Sequence, residues 1–279
     1  MTVTFFTLIV CSISALAGFL GALTGLGGGV IVVPALTLAL GVDMKYAIGA
    51  SLVSVIATSS GAAAAYVREG FSNIRIGMFL EIATTIGAVV GAYIAGHVST
   101  HILAIIFGLV LIQSAYQSVA RGALESVLPV ASDRLGKLLR LGGSYPVRGV
   151  EKEYGVCNVP AGFGLMFGAG ALSGLLGIGS GAVKVIAMDR AMRIPFKVST
   201  TTSNFMIGVT AAASAGVYLS RGYIEPRIAM PVMLGVLAGA FAGSKVLVHA
   251  RVRTLRIVFA VVIFALAVEM ILNGVMGRV

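Results

Sequence analysis

Long stretches without a charged residue dominate this sequence. The first runs from Met1 to Val42, and others cover residues 46–67, 82–120, 154–183 and 198–220. Because about 20 consecutive apolar residues of an α-helix cross a bilayer core, runs of this length predict membrane spans. Charged residues make up only 11% of the chain, against about 25% in soluble domains. We therefore expect an all-α, multi-pass protein of the cell (inner) membrane.

An internal repeat divides the chain. When the sequence is shifted by 152 residues, residues 18–122 align with 170–274 without a gap, and 28 of these 105 positions are identical. Such self-similarity indicates two homologous halves. The sequence predicts an N-terminal transmembrane repeat at 1–122, a cytoplasmic connector at 123–158 and a C-terminal transmembrane repeat at 159–279. The connector is expected to be a solvated loop with a short amphipathic helix near Arg134–Arg140.

Each half begins with an apolar segment that a glycine cluster interrupts. We call Thr24–Gly29 the first glycine cluster and Leu176–Gly181 the second. Three glycines within five positions should unwind a helix, since each costs about 1 kcal/mol relative to alanine. Each half is thus predicted as a glycine-broken hairpin or helix followed by three spans. These spans are expected at 46–67, 76–96 and 102–120, and at 198–220, 228–248 and 256–274.

The two glycine clusters are the first candidates for a substrate site. Interrupted helices at matching positions of two repeats mark the substrate site in many transporters. Free N–H groups at the start of the following helix would suit an anion. Close helix packing is the alternative explanation. The candidate binding residues here are Gly25, Gly27, Gly28, Gly29, Gly177, Gly179, Ser180 and Gly181.

Polar side chains after each cluster extend this candidate site. Six consecutive residues able to form hydrogen bonds, Ser199–Asn204, begin an apolar span, and Ser203 aligns with Ser51 in the first half. Polar side chains inside spans usually face a cavity. We add Ser51, Thr201, Thr202, Ser203 and Asn204 as candidate substrate-binding residues, although helix capping would explain one or two of them.

Lys184 follows the second glycine cluster by three residues. It either captures an anion or extends its side chain to the membrane interface, as lysines near span ends do. We include it in the candidate site. Glu81 lies near a span boundary and is expected at a solvated end. Glu269 is left out of the site because it lies close to the C-terminus.

Other function classes lack support in the sequence. Gly177, Gly179 and Ala182 spell a dinucleotide-like pattern, but no strand precedes them and no acidic residue follows about 20 positions later. No P-loop, zinc-protease or paired-cysteine motif occurs. Basic residues form short clusters between apolar runs rather than a stripe, which argues against nucleic acid. We expect no enzyme activity, no metal and no cofactor.

The residues also resemble a known family. Gly25–Pro34, Ala50–Thr58, Gly177–Val185 and Thr200–Asn204 look like the duplicated motif of the TauE/SafE sulfite exporter family. The resemblance covers nearly the whole chain apart from the connector. It implies a secondary transporter of small sulfur-containing or organic anions, such as sulfite, sulfonates and sulfoacetate. An anion channel and a non-transporting membrane scaffold for protein assembly are the alternatives. A proton or sodium ion could be coupled, and the sequence does not indicate an oligomeric state.

The distribution of positive charge favours inverted halves. Cytoplasmic loops carry an excess of Lys and Arg. Inverted halves with the connector inside place 14 basic residues inside and 4 outside, whereas parallel halves place 11 inside and 7 outside. (Lys184 and Lys245 are left out of both counts as intramembrane residues.) Access to a central site would then alternate by rocking of one repeat against the other.

We predict that both termini lie outside the cell and that the connector lies in the cytoplasm. Single cysteines at Ser132 and at the C-terminus, in a chain without Cys11 and Cys157, should react with an impermeant thiol reagent from opposite sides. Labelling of both sites from the same side would contradict the inverted arrangement.

Overall fold

A computed structural model describes residues 3–24, 28–68, 72–120, 132–147, 150–247 and 252–277. In the first half, the helices are α1 (Val3–Thr24), α2 (Gly29–Pro34), α3 (Met44–Arg68), α4 (Ile74–Ala95) and α5 (Thr100–Ala120). The connector contains α6 (Arg134–Leu138), β1 (Gly143–Val147) and β2 (Val150–Tyr154). The second half contains α7 (Val159–Leu176), α8 (Gly181–Ile186), α9 (Phe196–Ser220), α10 (Pro226–Leu247) and α11 (Val252–Met276).

Secondary structure repeats with the same 152-residue offset as the sequence. The bounds of α2, α3 and α4 recur as those of α8, α9 and α10. The π-helical turn Ala35–Ala39 that continues α2 recurs as Ala187–Ala191 after α8. The two halves therefore have matching secondary structure at these positions.

The prediction of an all-α polytopic membrane protein is confirmed. Within the described residues, six helices are long and apolar enough to span a bilayer: α1, α4, α5, α7, α10 and α11. Large apolar side chains on their outer faces are exposed, among them Leu16, Ile82 and Phe241, as expected for a surface that faces lipid. The more polar helix α9 buries a side that includes Val198, Ser203 and Thr210.

Helices of one half pack on helices of the other. The main contacts pair α1 with α10, α4 with α7, α5 with α11 and α3 with α9. The 152-residue offset converts the α1–α10 pair into the α7–α4 pair. The α1–α10 and α4–α7 contacts are therefore equivalent under the repeat, and each joins a helix of the first half to a helix of the second.

Glycines bring the backbones of these pairs into direct contact. A Cβ atom on Gly170 of α7 would lie 2.1 Å from the carbonyl oxygen of Thr84 in α4. The equivalent Cβ atom on Gly18 of α1 would lie 2.2 Å from the carbonyl oxygen of Val236 in α10. Gly87 and Gly239 make similarly close approaches to the partner backbone. In lipid, the hydrophobic effect does not drive helices together, so association depends on close van der Waals packing. Small residues permit that packing.

The connector is more ordered than the sequence predicts. The expected short helix is present as α6, but the expected loop also contains a β-hairpin in which Gly143 pairs with Tyr154. The prediction missed the hairpin because the strand Val150–Tyr154 has the sequence Val-Glu-Lys-Glu-Tyr, which is mostly charged. Tertiary contacts hold the hairpin, since Asn73, the N-cap of α4, donates hydrogen bonds to the carbonyl of Leu141 and the hydroxyl of Tyr154.

Basic side chains from both halves meet at the other end of α4. Lys45 Nζ donates to the carbonyl oxygen of Gly96 at 3.1 Å, and Arg221 Nη1 donates to that of Tyr93 at 3.1 Å. These carbonyls belong to the last turn of α4, where a helix has no internal donors left and attracts positive charge. Lys45 and Arg221 therefore lie at the same end of the helix bundle.

We predict that Gly170→Ala lowers the thermal stability of the purified protein and that Gly168→Ala does not. The new Cβ at position 170 would meet backbone atoms of α4, whereas nothing lies within 4 Å of the corresponding position at Gly168. Both substitutions raise helix propensity equally, so the pair isolates packing. Unfolding midpoints in detergent are the measurement, and an equal effect of both variants would contradict the close α4–α7 contact.

Candidate functional site

The second glycine cluster interrupts the helix as predicted. Helix α7 ends at Leu176, and Gly177 takes a left-handed conformation with φ of 68°. Ser180 is also left-handed, with φ of 41°, and α8 begins directly after it. Non-glycine residues rarely adopt positive φ. Its counterpart Gly28 has an ordinary φ of −68°, so the two clusters differ in conformation at this position.

The two clusters approach each other through Ser51. Its hydroxyl donates a hydrogen bond of 2.9 Å to the carbonyl oxygen of Gly177. A Cβ atom on Gly29 would lie 2.6 Å from the same hydroxyl oxygen and 3.4 Å from the Gly177 carbonyl oxygen. One serine of α3 thus joins the first residue of α2 to the break after α7. Gly25 and Gly27 lie outside the described residues.

Ser203 has a matching position in the second half. Its hydroxyl donates to the carbonyl oxygen of Gly181, at the start of α8, at 3.3 Å. Ile207, one turn further along α9, covers Gly179 and Gly181, since a Cβ on either would lie within 3 Å of its side chain. In each half, therefore, a buried serine of the long central helix lies against the first residue of the short helix.

The remaining candidates do not join this group. Gly28 packs against Gly18 and Val236, which are parts of α1 and α10. The Thr201 hydroxyl bonds carbonyls of the preceding turn of α9. The Thr202 hydroxyl accepts a hydrogen bond from the backbone N–H of Asn73, the N-cap of α4, and Asn204 is half-buried. The polar stretch Ser199–Asn204 therefore serves several contacts rather than lining one surface.

Lys184 is fully buried. Its side chain is 0% exposed, so it does not extend to the membrane interface. The ammonium group donates a hydrogen bond of 2.5 Å to Thr210 Oγ1 of α9. An ammonium group has three N–H donors, but among the described residues only Thr210 accepts a hydrogen bond from it. A buried cation with donors to spare is a costly arrangement in an apolar environment.

Glu81 corrects one expectation from the sequence. It was predicted at a solvated end, but it is only 8% exposed and lies seven residues into α4, about 10 Å from the helix start. Glu81 Oε1 accepts hydrogen bonds from Thr210 at 2.7 Å and from Thr85 at 3.2 Å. Its Oε2 is buried without a hydrogen-bond partner among the described residues.

Thr210 thus links the two buried charged residues, and we call Glu81, Thr210 and Lys184 the buried triad. Sequence reasoning missed two of its members, Thr210 and Glu81. The signal that could have found Glu81 is the rule that ionisable residues inside spans mark functional sites. The repeat-related positions are occupied by Met233, Thr58 and Val32. The two charges therefore have no counterparts at the repeat-related positions.

A cavity of about 320 Å³ lies away from this region, between the connector and the start of α4. Its lining includes Asn73, Arg75, Ser144 and Tyr154 and none of the predicted site residues. Burial raises the pKa of the Tyr154 hydroxyl, and the hydrogen bond from Asn73 acts in the opposite direction. The phenol stays protonated at neutral pH, and this contact joins the connector to α4.

The structure describes no cluster of metal ligands. Among its described residues, no three His, Cys, Asp or Glu side chains lie close enough together to hold a metal ion. The second intramembrane glutamate, Glu269, is exposed on the outer side of α11, away from the triad.

The fold is that of a multi-pass membrane protein with a buried polar region at its centre. The sequence matches the model of the family described as sulfite exporter TauE/SafE over residues 10–270. The chain therefore belongs to the TauE/SafE family, as its motifs suggested.

Curated relatives agree with this class. The chain is similar to the probable membrane transporter protein YunE of Bacillus subtilis (strain 168), with 24% identity over 274 residues that cover 96% of this chain and 98% of the relative. The probable membrane transporter protein YdhB of the same organism is 25% identical over 240 residues, which cover 85% of this chain and 87% of the relative. No solved structure gives a significant match.

We predict that Lys184→Val alone destabilises the protein far more than the double variant Glu81→Met/Lys184→Val does. The single variant leaves Glu81 buried without its countercharge, which typically costs about 3–5 kcal/mol. The double variant installs the residues that occupy the repeat-related positions. Unfolding midpoints in detergent test this, and equal loss of stability in both variants would show that the two charges are not coupled.

Proposed function

We propose that this protein is a secondary transporter of a small sulfur-containing or organic anion, such as sulfite, a sulfonate or sulfoacetate. The observation that carries the proposal is the buried ammonium group of Lys184 beside the second glycine cluster. Within the described residues, no carboxylate oxygen lies within 4.0 Å of it. Its countercharge Glu81 is joined to it only through the Thr210 hydroxyl, so a bound anion could make the direct contact. The family match supports transport rather than catalysis.

The proposed site combines charge with hydroxyl groups at the break. Lys184 follows Ser180 by about one helical turn, and the buried Ser180 hydroxyl has no hydrogen-bond partner among the described residues. Ser203 and the backbone of Gly179 and Gly181 complete this side of the site. Oxyanions such as sulfonates accept several hydrogen bonds, and bonds that involve a charged group are stronger than neutral ones.

The first half contributes Gly29 and Ser51 to the same region. Their contacts with the Gly177 carbonyl support a site between the halves. Thr201 and Thr202 are less suitable ligands, because their hydroxyls bond groups away from the break, within α9 and at Asn73. The hydroxyls of Ser51 and Ser203 bond carbonyls at the glycine clusters themselves.

The contacts at the ends of α4 support inverted halves. Parallel halves would put Lys45 outside and Arg221 inside, yet both bind carbonyls in the last turn of α4. Parallel halves would also separate the connector from Arg190 and Arg193, yet the backbone N–H of Cys157 donates to the carbonyl of Met192 between them. Inverted halves satisfy both contacts.

Alternating access would involve two helix groups that each contain helices of both halves. The first group consists of α1, α2, α3 and α10, and the second of α7, α8, α9 and α4. Within each group, glycines bring long helices into backbone contact. Between the groups, α3 packs on α9, and the hydrogen bond from Ser51 to Gly177 crosses the same boundary. Sliding of one group against the other would open the glycine clusters to either side.

Two experiments separate the proposal from its alternatives. Purified protein should be stabilised against heat by at least one of sulfite, thiosulfate, sulfonates or small carboxylates, since a ligand that binds the folded state raises its apparent stability. In proteoliposomes, uptake of that anion should saturate and be driven by the same anion loaded inside. Flux without such counter-transport would indicate a channel, and absence of both binding and flux would favour a scaffold.

We predict that anion affinity depends on the positive charge at position 184. Lys184→Arg should retain part of the affinity. The charge-free double variant Glu81→Met/Lys184→Val should fold but lose about 10- to 100-fold, because a hydrogen bond to a charged group contributes about 1.5–3 kcal/mol. Isothermal calorimetry provides the comparison. Wild-type affinity in the folded double variant would remove Lys184 from the site.

A further inference from the structure

We propose that Glu81 is the proton-binding site of this transporter and that it takes up one proton each time an anion binds at Lys184. The inference rests on the proposed function and names the coupling ion of that same site. It starts from the buried triad, in which one carboxylate and one ammonium group are joined by a single threonine hydroxyl.

In this proposal, the Glu81 carboxylate competes with the bound anion for interaction with the Lys184 ammonium group. Among the described residues, Lys184 is the charged group that hydrogen bonds connect to the Glu81 carboxylate, through the Thr210 hydroxyl. When Glu81 is ionised, its negative charge offsets the ammonium group. When Glu81 is protonated, Lys184 is left without a countercharge in a buried position. An anion can then bind at Lys184, because the neutral carboxyl group no longer offsets the ammonium charge.

The unpartnered oxygen of Glu81 is the atom that receives the proton. Oε1 is occupied by the hydroxyls of Thr210 and Thr85, whereas Oε2 is buried and has no hydrogen-bond partner in the described part of the chain. A bare carboxylate oxygen in an apolar environment favours the neutral acid over the ion. Protonation at Oε2 leaves both existing hydrogen bonds in place, so the step needs no rearrangement of α4 or α9.

Sodium fits these residues less well than a proton. The oxygen atoms that could surround a cation are those of Glu81, Thr85 and Thr210. The ammonium group of Lys184 already lies at hydrogen-bond distance from Thr210, and its positive charge would repel a sodium ion at the same place.

Other titratable groups around Glu81 lie further along their helices. Helix α7, which packs on α4, contains no titratable side chain. Helix α9 carries Lys197 near its start and Tyr218 near its end. On α4 itself, Arg75 lies near the start, where it donates to the Arg140 carbonyl, and the exposed Tyr93 is near the end. The pH dependence should therefore be that of Glu81 coupled to Lys184.

The coupled step conserves charge and atoms. One proton from solution binds Glu81, one anion binds Lys184, and the loaded site carries the same net charge as the empty one for a monovalent substrate. Neither ligand is transformed. Because both are bound together in the loaded site, both cross the membrane in the same direction.

The test uses methanesulfonate as the probe, because its own charge does not change between pH 5 and pH 9. Purified wild-type protein and Glu81→Gln are titrated with it at several pH values. Glutamine mimics the protonated carboxyl group in size and charge. Linkage requires that wild-type affinity falls with rising pH, by up to tenfold per unit in the range where Glu81 loses its proton. Glu81→Gln should lose this dependence and bind with constant affinity at acidic and neutral pH, where Lys184 keeps its proton.

A second measurement counts protons directly. Addition of methanesulfonate to weakly buffered wild-type protein in the same pH range should remove about one proton per bound anion from solution, as a pH dye reports. Glu81→Gln should remove none. Glu269→Gln is the matched control, because Glu269 also lies within a span but is exposed and outside the triad. It should behave as the wild type in both measurements.

The outcomes distinguish the two proposals. Wild-type binding that does not vary with pH, or an unchanged pH dependence in Glu81→Gln, would overturn the proton site while leaving anion binding intact. A requirement for sodium in place of proton uptake would also overturn it. Absence of stabilisation by methanesulfonate and by every other anion in the screen, at all pH values, would refute the proposed function itself.

Discussion

Lipid does not solvate the polar backbone, and this constraint governs the arrangement of the central helices. The break between α7 and α8 exposes peptide groups that a continuous helix would satisfy, so protein must enclose them. Ile48 and Ser51 from α3 and Ile207 from α9 surround the break, and the Ser51 hydroxyl binds the Gly177 carbonyl. The outer helices therefore carry the apolar surface, while α3 and α9 carry the hydroxyl groups.

Glycines at the contacts between the outer helices allow protein to enclose the break. The α4–α7 and α1–α10 pairs approach until a Cβ would lie about 2 Å from a partner carbonyl oxygen at Gly170 and Gly18. Larger residues there would hold the outer helices apart and open the centre to lipid. Since the two glycines occupy repeat-related positions, the same close helix–helix contact occurs twice. It also joins helices of different halves, which is why the sequence repeat and the packed helix groups do not coincide.

The sequence predicts those parts of the structure that depend on local pattern. Apolar runs specified the long helices, and the repeat specified that both halves contain the same short helix after the glycine cluster. The β-hairpin was missed because side chains of Asn73 and Arg75, about 70 residues away, hold the connector. The solvated position expected for Glu81 was wrong for a similar reason. Its partner Thr210 is 129 residues away, a contact that no spacing rule reveals. The role of the individual glycines stays a prediction.

The location of the buried triad relative to the helix groups has a mechanistic consequence. Glu81, Thr210 and Lys184 all belong to the second helix group, although Glu81 comes from the first half of the sequence. Their hydrogen bonds therefore need not break when the two groups slide, and the ammonium group would keep its environment in both open states. In the proposed movement, the contact that would change at the α3–α9 boundary is that of Ser51 with the Gly177 carbonyl. In the proposed mechanism, charge recognition would belong to one helix group and access to the boundary between the groups. A transporter needs that separation, because an anion that lost its countercharge during the movement would face the full cost of burial in an apolar interior.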